Sequence, residues 1–248
     1  MTGLEPGARV IGVGIGCGAF AEYTVLPAAA VMPVPVGWAA EQALGLVVNW
    51  PTALAALKPL GGVIAGQTVL VHAAAGATGQ AAVTLAKHYG ATVIATASLG
   101  KHETALALGA DHVLDARGGD IAAEVLRLTA GADVVLESAG GSTFDASLAA
   151  AKRVTGRVVV YGVAGGEASI TNWELVYKHQ VQVIGFNVGV LIQAAPQIVG
   201  EVMGELSALI AAGVLTPSRP TAYELADGPK TLAELEARAT IGKLALLP

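Results

Sequence analysis

The chain has 248 residues, of which 54% are hydrophobic and 13% charged, and a net charge of −5. That balance argues against disorder, allows a substantial buried core and leaves no basic footprint for nucleic acid. A single cysteine, Cys17, excludes an intrachain disulfide framework, and no basic segment followed by an apolar core opens the chain, so the expectation is a soluble cytoplasmic protein.

In chain order, residues 7–12 read as a short strand, and Gly14, Gly16 and Gly18 as a loose loop around Cys17. Residues 21–26 read as a returning strand and 31–36 as a proline-punctuated extended piece. This is too little to close a sheet alone, so partners are expected from later in the chain. Between Val25 and Leu57 the only charge is Glu41, but four prolines with Gln42 and Asn49 argue against a membrane-spanning helix. Residues 40–48 and 52–57 read as apolar helical segments interrupted at Asn49-Trp50-Pro51.

At Val69-Leu70-Val71 an uninterrupted apolar run predicts a strand buried on both faces. Ala74-Ala75-Gly76-Ala77-Thr78-Gly79 follows, then a helical pattern closed by Gly90 and a second strand at Thr92-Val93-Ile94. The turn is a G-x-G-x-x-G fingerprint with Ala74 in the first glycine position, and the flanking strands and helix are the context that confirms it. Gly76 lets the backbone approach a pyrophosphate, Gly79 lets helix and strand pack closely, and the helix N-terminus faces the phosphates. Further strands start near Val93, Val113, Val134, Val158 and Val181, about 20–24 residues apart with helical sequence in most gaps. The alternation predicts an α/β Rossmann fold, a doubly wound six-stranded parallel sheet in the order 3-2-1-4-5-6. After Val188 come a long helix at 196–212, a short strand at 222–224, a helix at 229–238 and a final strand at 243–247. This tail is expected to return to the β-rich start.

Pro6-Gly7-Ala8-Arg9-Val10, Gly18-Ala19-Phe20-Ala21-Glu22-Tyr23, Asn49-Trp50-Pro51-Thr52-Ala53, the glycine turn, Leu108-Gly109-Ala110-Asp111, residues 133–138, Gly156-Arg157-Val158-Val159-Val160 and Gly242-Lys243 resemble the medium-chain dehydrogenase/reductase superfamily, in its zinc-free quinone oxidoreductase branch. The resemblance implies a partial GroES-like catalytic domain over 1–38, an NADP-binding domain over 39–190, and a connecting helix with a return to the catalytic domain over 191–248. The first matched piece falls inside the family's catalytic domain, so the chain reads as N-terminally truncated relative to that branch. The implied activity is an NADPH-dependent, zinc-independent reduction of a quinone or an electron-poor enone or enal. The alternative is a truncated NADPH-binding relative without efficient turnover.

Cofactor choice turns on the end of the second strand, where NAD-specific folds place a carboxylate. Here residues 96–101 hold none, only Ser98 and Lys101, a hydroxyl and a cation suited to a 2′-phosphate. In the resembling branch a lysine eight residues before the Gly-Ala-Asp triplet contacts that phosphate, which is the position of Lys101, and Arg238 matches a family arginine near it. Where the branch has a tyrosine after the third strand, Asp115 is followed by Ala116. The nicotinamide end is expected beyond the strand termini, among Thr52, Ser138, Ala139, Gly140, Tyr161, Gly162, Phe186, Asn187 and Val188, with the pyrophosphate held over Ala74, Ala75, Gly76, Ala77, Thr78 and Gly79. Asn49 and Trp50 resemble the family's catalytic Asn-Tyr pair, with tryptophan replacing the tyrosine.

No metal set is expected. Cys17 stands alone, His72, His88, His102, His112 and His179 lack ligand spacing, and Val48 takes the place of a zinc-ligand cysteine in relatives. Neither a Ser/His/Asp nucleophile nor a Tyr-x-x-x-Lys pair is visible. The remaining partner expectation is a homodimer through the edge strand 181–186, since exposed sheet edges need covering and the resembling family pairs them.

Overall fold

A computed structural model of the chain describes residues 4–14, 16, 18–217 and 219–248; Cys17 lies outside the described residues. Near the start, β1 (Val10–Gly12) and β2 (Val31–Pro33) pair antiparallel. The strand expected at 21–26 is absent. Tyr23 and Val25 are exposed there, with no apolar surface to reward the alternation, and residues 31–33 take the role of partner to β1.

Helix α1 (Ala40–Ala43) and a 3-10 turn lead into α2 (Asn49–Ala55). The sequence expectation of a break at Asn49-Trp50-Pro51 is corrected: α2 starts there. Pro51 lies in the first helical turn, where no intrahelical acceptor awaits its missing N–H. The run Ala40–Leu60 is long and apolar enough to cross a membrane by length and composition. In the structure Pro51 to Ala55 are instead all buried in the protein core.

The alternation then proceeds through β3 (Thr68–Val71), α3 (Ala77–His88), β4 (Thr92–Ala97), α4 (His102–Ala107), β5 (His112–Asp115) and α5 (Ile121–Thr129). It continues with β6 (Val134–Glu137), α6 (Ser142–Ala150), β7 (Arg157–Val160) and β8 (Gln182–Gly185). All six strands pair parallel in the order β5-β4-β3-β6-β7-β8, the predicted topology. Side chains alternate across the sheet. Val69, Val71, Val93 and Leu136 pack under α2, α3 and the long C-terminal helix, while Leu70, Ile94, Val135 and Val158 pack under α5 and α6. β3 and β6 are buried throughout, which is why they read as continuous apolar runs. From β3 the chain winds outward to β4 on one side, while β6 begins the other side. The crevice for a ligand therefore opens at the carboxyl ends of these two central strands.

The tail comprises α7 (Val188–Ala194), α8 (Pro196–Ala211), β9 (Thr221–Glu224), α9 (Gly228–Glu236) and β10 (Leu244–Leu247). β10 pairs parallel with β9, forming a second small sheet rather than a continuation of the β1–β2 pair. Leu246 and Leu247 nonetheless share a cavity wall with Val10 and Ile11, so the two ends of the chain meet.

Candidate functional site

After β3 the chain reverses through Ala73, in the left-handed region at φ 50°, and Gly76 N–H donates to Ala73 O at 2.9 Å. Gly76 is the N-cap of α3 with extended backbone and no capping side chain. The N–H groups of Ala77, Thr78 and Gly79 have no intrahelical acceptor, and the helix dipole adds partial positive charge beside them. Ala74 and Ala75 are buried beneath the turn. A Cβ on Gly79 would stand 2.3 Å from Ala73 O, so only glycine fits; on Gly76 its nearest neighbour is 3.3 Å away. This cradle fits a pyrophosphate. One side is closed by the C-terminal strap: Gly242 N–H donates to Ala75 O at 2.8 Å, and Gly242 bridges Gly76.

The cleft over the turn has a volume of about 550 Å³, with Asn49, Thr78, Ser138, Tyr161 and Lys243 on its walls. At its near end Ser98 stands just beyond β4 and opens the 3-10 turn that carries Lys101. Lys101 Nζ donates to the carbonyls of Arg238 and Thr240, each at 2.7 Å. Two of its three donors are thus spent on the strap, leaving one for a ligand. Burial of the ammonium, and then the charge of Arg117, hold Lys101 below the usual lysine range. Arg238, itself at φ 56°, donates from Nη2 to Ala164 O across the cleft mouth. Lys101 and Arg117 gather positive charge where the sequence lacks a carboxylate, and Arg238 joins them there through its backbone carbonyl.

At the other end Asn49 Nδ2 donates to Thr78 Oγ1 at 2.9 Å, tying α2 to α3. Asn49 Oδ1 and Thr52 Oγ1 are buried without a hydrogen-bond partner in the protein, as expected of groups kept for a ligand. Trp50 departs from its expected catalytic place. Its indole packs on Gly45 and against the core, and it lines a neighbouring cavity with Gln80 and Arg219 rather than the cleft. The Ala139 and Gly140 N–H groups point away from the cleft, to Glu137 Oε1. Gly140 and Gly162 are required sterically, since a Cβ would come within 2.1 Å of Gly166 O and 2.4 Å of Ser138 O.

Tyr161 bonds to Ser138, and its ring lies 6.4 Å from that of Phe186. Burial pushes its hydroxyl up to about 12; the Ser138 bond opposes this and the Glu137 charge adds to it. Asn187 spends its side chain on capping α7, accepting from Val190 N–H at 3.1 Å. Val188 lines a separate apolar cavity of about 640 Å³ with Leu191, Val202 and Met203. Those two residues therefore stand outside the cleft wall that the sequence assigned to them.

Sequence reasoning missed three participants. Lys243 lines the cleft, and burial lowers its pKa; its only signal was the Gly242-Lys243 match. Arg117 had none beyond following Ala116. Glu137, a charge at the end of an apolar run, had only the match of residues 133–138 and no role attached to it. Among the described residues no group of three or more histidine, cysteine, aspartate or glutamate side chains could hold a metal.

A family profile described as zinc-binding dehydrogenase matches residues 77–204. The spectinabilin polyketide synthase system protein NorB of Streptomyces orinoci is 36% identical over 249 residues, covering 99% of this chain and 11% of that protein. The chain thus corresponds in length to a small region of this curated relative. Among solved structures, a quinone oxidoreductase of Pseudomonas syringae pv. Tomato DC3000 is 33% identical, with TM-score 0.89 over 99% of this chain and 76% of the other. Mycobacterial Rv1454c, solved with NADPH, is 32% identical, with TM-score 0.86 over 93% and 73%. The CurK enoyl reductase is 30% identical, with TM-score 0.79 over 88% and 66%.

Proposed function

The chain belongs to the medium-chain dehydrogenase/reductase superfamily, in its quinone oxidoreductase branch, and from that premise we propose an NADPH-dependent reductase of a quinone or an electron-poor enone or enal. The observation that carries the cofactor assignment is the end of β4, where Lys101 stands with Arg117 nearby and no carboxylate is present to grip a ribose hydroxyl. The glycine turn would hold the pyrophosphate on the free N–H groups of α3. Asn49, Thr52, Ser138 and Tyr161 would orient the nicotinamide end. NADPH, when bound, supplies the hydride, and a proton from solvent completes the two-electron reduction. The protein's part is to position, to exclude water and to donate hydrogen bonds to the developing oxyanion. Tyr161, with its hydroxyl neutral at working pH, is a suitable donor.

We further propose that the reaction needs no zinc, because the described residues supply no ligand set. Two copies are proposed to pair through β8. A second substrate reading, an enoyl thioester, is favoured by the likeness to a polyketide synthase region and to an enoyl reductase. NADPH oxidation followed with a panel of quinones, enals and enoyl thioesters separates these acceptors, after thermal-shift comparison of NADPH with NADH. Stabilisation by NADPH with no oxidation against any acceptor would leave a cofactor-binding protein without efficient turnover.

A further inference from the structure

Behind the cleft wall, four polar side chains that the proposed reaction does not use form one hydrogen-bonded chain in the interior. His72 follows β3, Thr96 belongs to β4, Glu137 ends β6 and Ser147 lies in α6; none is more than 1% exposed. Thr96 Oγ1 lies 3.0 Å from His72 Nδ1, and His72 Nε2 lies 3.0 Å from Ser147 Oγ. Ser147 Oγ lies 2.5 Å from Glu137 Oε2. The other carboxylate oxygen, Oε1, accepts the N–H groups of Ala139 at 2.6 Å and Gly140 at 2.8 Å.

Donor counting gives the chain a direction. Ser147 has one proton, and the carboxylate oxygen Glu137 Oε2 is a stronger acceptor for it than the alternative, Thr143 O at 2.9 Å. Ser147 Oγ must then accept from His72 Nε2–H, and His72 Nδ1 must accept from the Thr96 hydroxyl. His72 is neutral in this arrangement: burial lowers its pKa, and the Glu137 charge, 3.8 Å from Nε2, opposes that less strongly. The cluster contains a serine, a histidine and an acid, brought together only by the fold. It is no nucleophile site, because the serine proton faces the carboxylate and the group is sealed from solvent.

We propose that Glu137, tied through Ser147 to His72, is a positioning residue that holds the Ser138–Ala139–Gly140 wall of the cleft in register with the turn at Ala73. The proposal rests on reading the cleft as the NADPH site. His72 directly precedes the pyrophosphate turn, and Glu137 directly precedes the loop that bonds Tyr161. The chain therefore ties the two central strand ends together across the crevice. Its members are mutually satisfied, so each one depends on the others.

The test combines spectroscopy with kinetics. In the wild-type protein, 15N–1H spectra of His72 are expected to show the Nε2–H tautomer from pH 5 to pH 8; an Nδ1–H tautomer or an imidazolium would overturn the donor order. Glu137→Gln keeps an acceptor for the two loop amides, whereas Glu137→Ala removes it. The amide protons of Ala139 and Gly140 should shift upfield in Glu137→Ala and stay near their wild-type positions in Glu137→Gln. With turnover, Glu137→Ala should lower kcat by about tenfold while the NADPH Kd changes less than about threefold, and Glu137→Gln should restore kcat. Unmoved loop amides in Glu137→Ala, or equal damage from both variants, would sink the proposal. Should Glu137→Ala fail to fold, Ser147→Ala is the substitute, expected to change the His72 ring shifts and lower kcat. If wild type turned over no acceptor, the function reading would fail, while the tautomer and the two amides would still decide this one.

Discussion

Gly76 and Gly79 lie three residues apart in one turn, yet an added methyl group harms them for different reasons. At Gly79 it would meet Ala73 O at 2.3 Å and Ala74 Cα at 2.6 Å, both backbone atoms that cannot swing aside. Gly79→Ala should therefore cost about 1–3 kcal/mol of stability and lose cofactor binding with it. At Gly76 the φ of −80° suits any residue and the nearest atom is 3.3 Å away. Gly76→Ala should melt within about 0.5 kcal/mol of wild type. It should still weaken NADPH by at least about tenfold, since the methyl occupies the line of approach to the helix N-terminus. Thermal melts paired with calorimetric titration read both halves; tight binding by Gly76→Ala would remove the turn from the site. Lys101 is a second case of one residue with two duties. Its side chain clasps the strap with two donors, and the proposed function gives the third to the 2′-phosphate. Lys101→Ala should raise the NADPH Kd by about 10–100-fold and leave NADH within about threefold. Equal losses for the two cofactors would mean that the ammonium serves the strap alone.

At the scale of elements, the carboxylate of Asp111 joins three of them. It accepts Lys87 Nζ from the end of α3 at 2.8 and 2.9 Å, and Val93 N–H from β4 at 2.7 Å, just before β5 begins. Desolvation would raise its pKa, but the Lys87 and Val93 hydrogen bonds together outweigh it and hold the carboxyl below the ordinary aspartate range. A depressed folded pKa stabilises above the unfolded value, near pH 4, and that contribution is lost as pH falls through the folded value. The melting-temperature difference between wild type and Asp111→Asn should be constant from pH 8 to about pH 5 and shrink below about pH 4. A difference that grows on acidification would contradict the clamp. The same elements show what a sequence makes legible. β3, β4 and β6 announce themselves because burial on both faces demands an apolar run. Residues 21–26 carry strand-like alternation and stay exposed, because periodicity says nothing about whether a partner surface exists. The glycine turn was readable from local spacing. The strap on Lys101, 137 and 139 residues away, and the tie between His72 and Ser147, 75 residues apart, arise only once sheet order brings strand ends together.

The sheet as a whole is asymmetric in how its edges are covered. β3 and β6 at the centre are buried, whereas β8 exposes Gln182, Val183 and Gly185 and, among the described residues, has a strand neighbour on one side alone. Just upstream, Trp173 and Tyr177 stand exposed with their rings 6.1 Å apart. An unpaired strand beside exposed aromatic surface is a template for another strand, and self-pairing across a two-fold axis satisfies it without leaving a new edge. The wild-type protein should therefore run at twice the chain mass of 24.7 kDa in light scattering at micromolar concentration. Val183→Lys places two like charges near each other at such an interface and should yield the monomer mass. Because the cleft lies at the ends of β3 and β6, away from this edge, the variant should bind NADPH as wild type does. A wild-type monomer would mean that the edge is left to solvent. A monomeric variant that also lost NADPH would show instead that β8 supports the cleft, through Phe186 against Tyr161, and that edge and site are one cooperative unit.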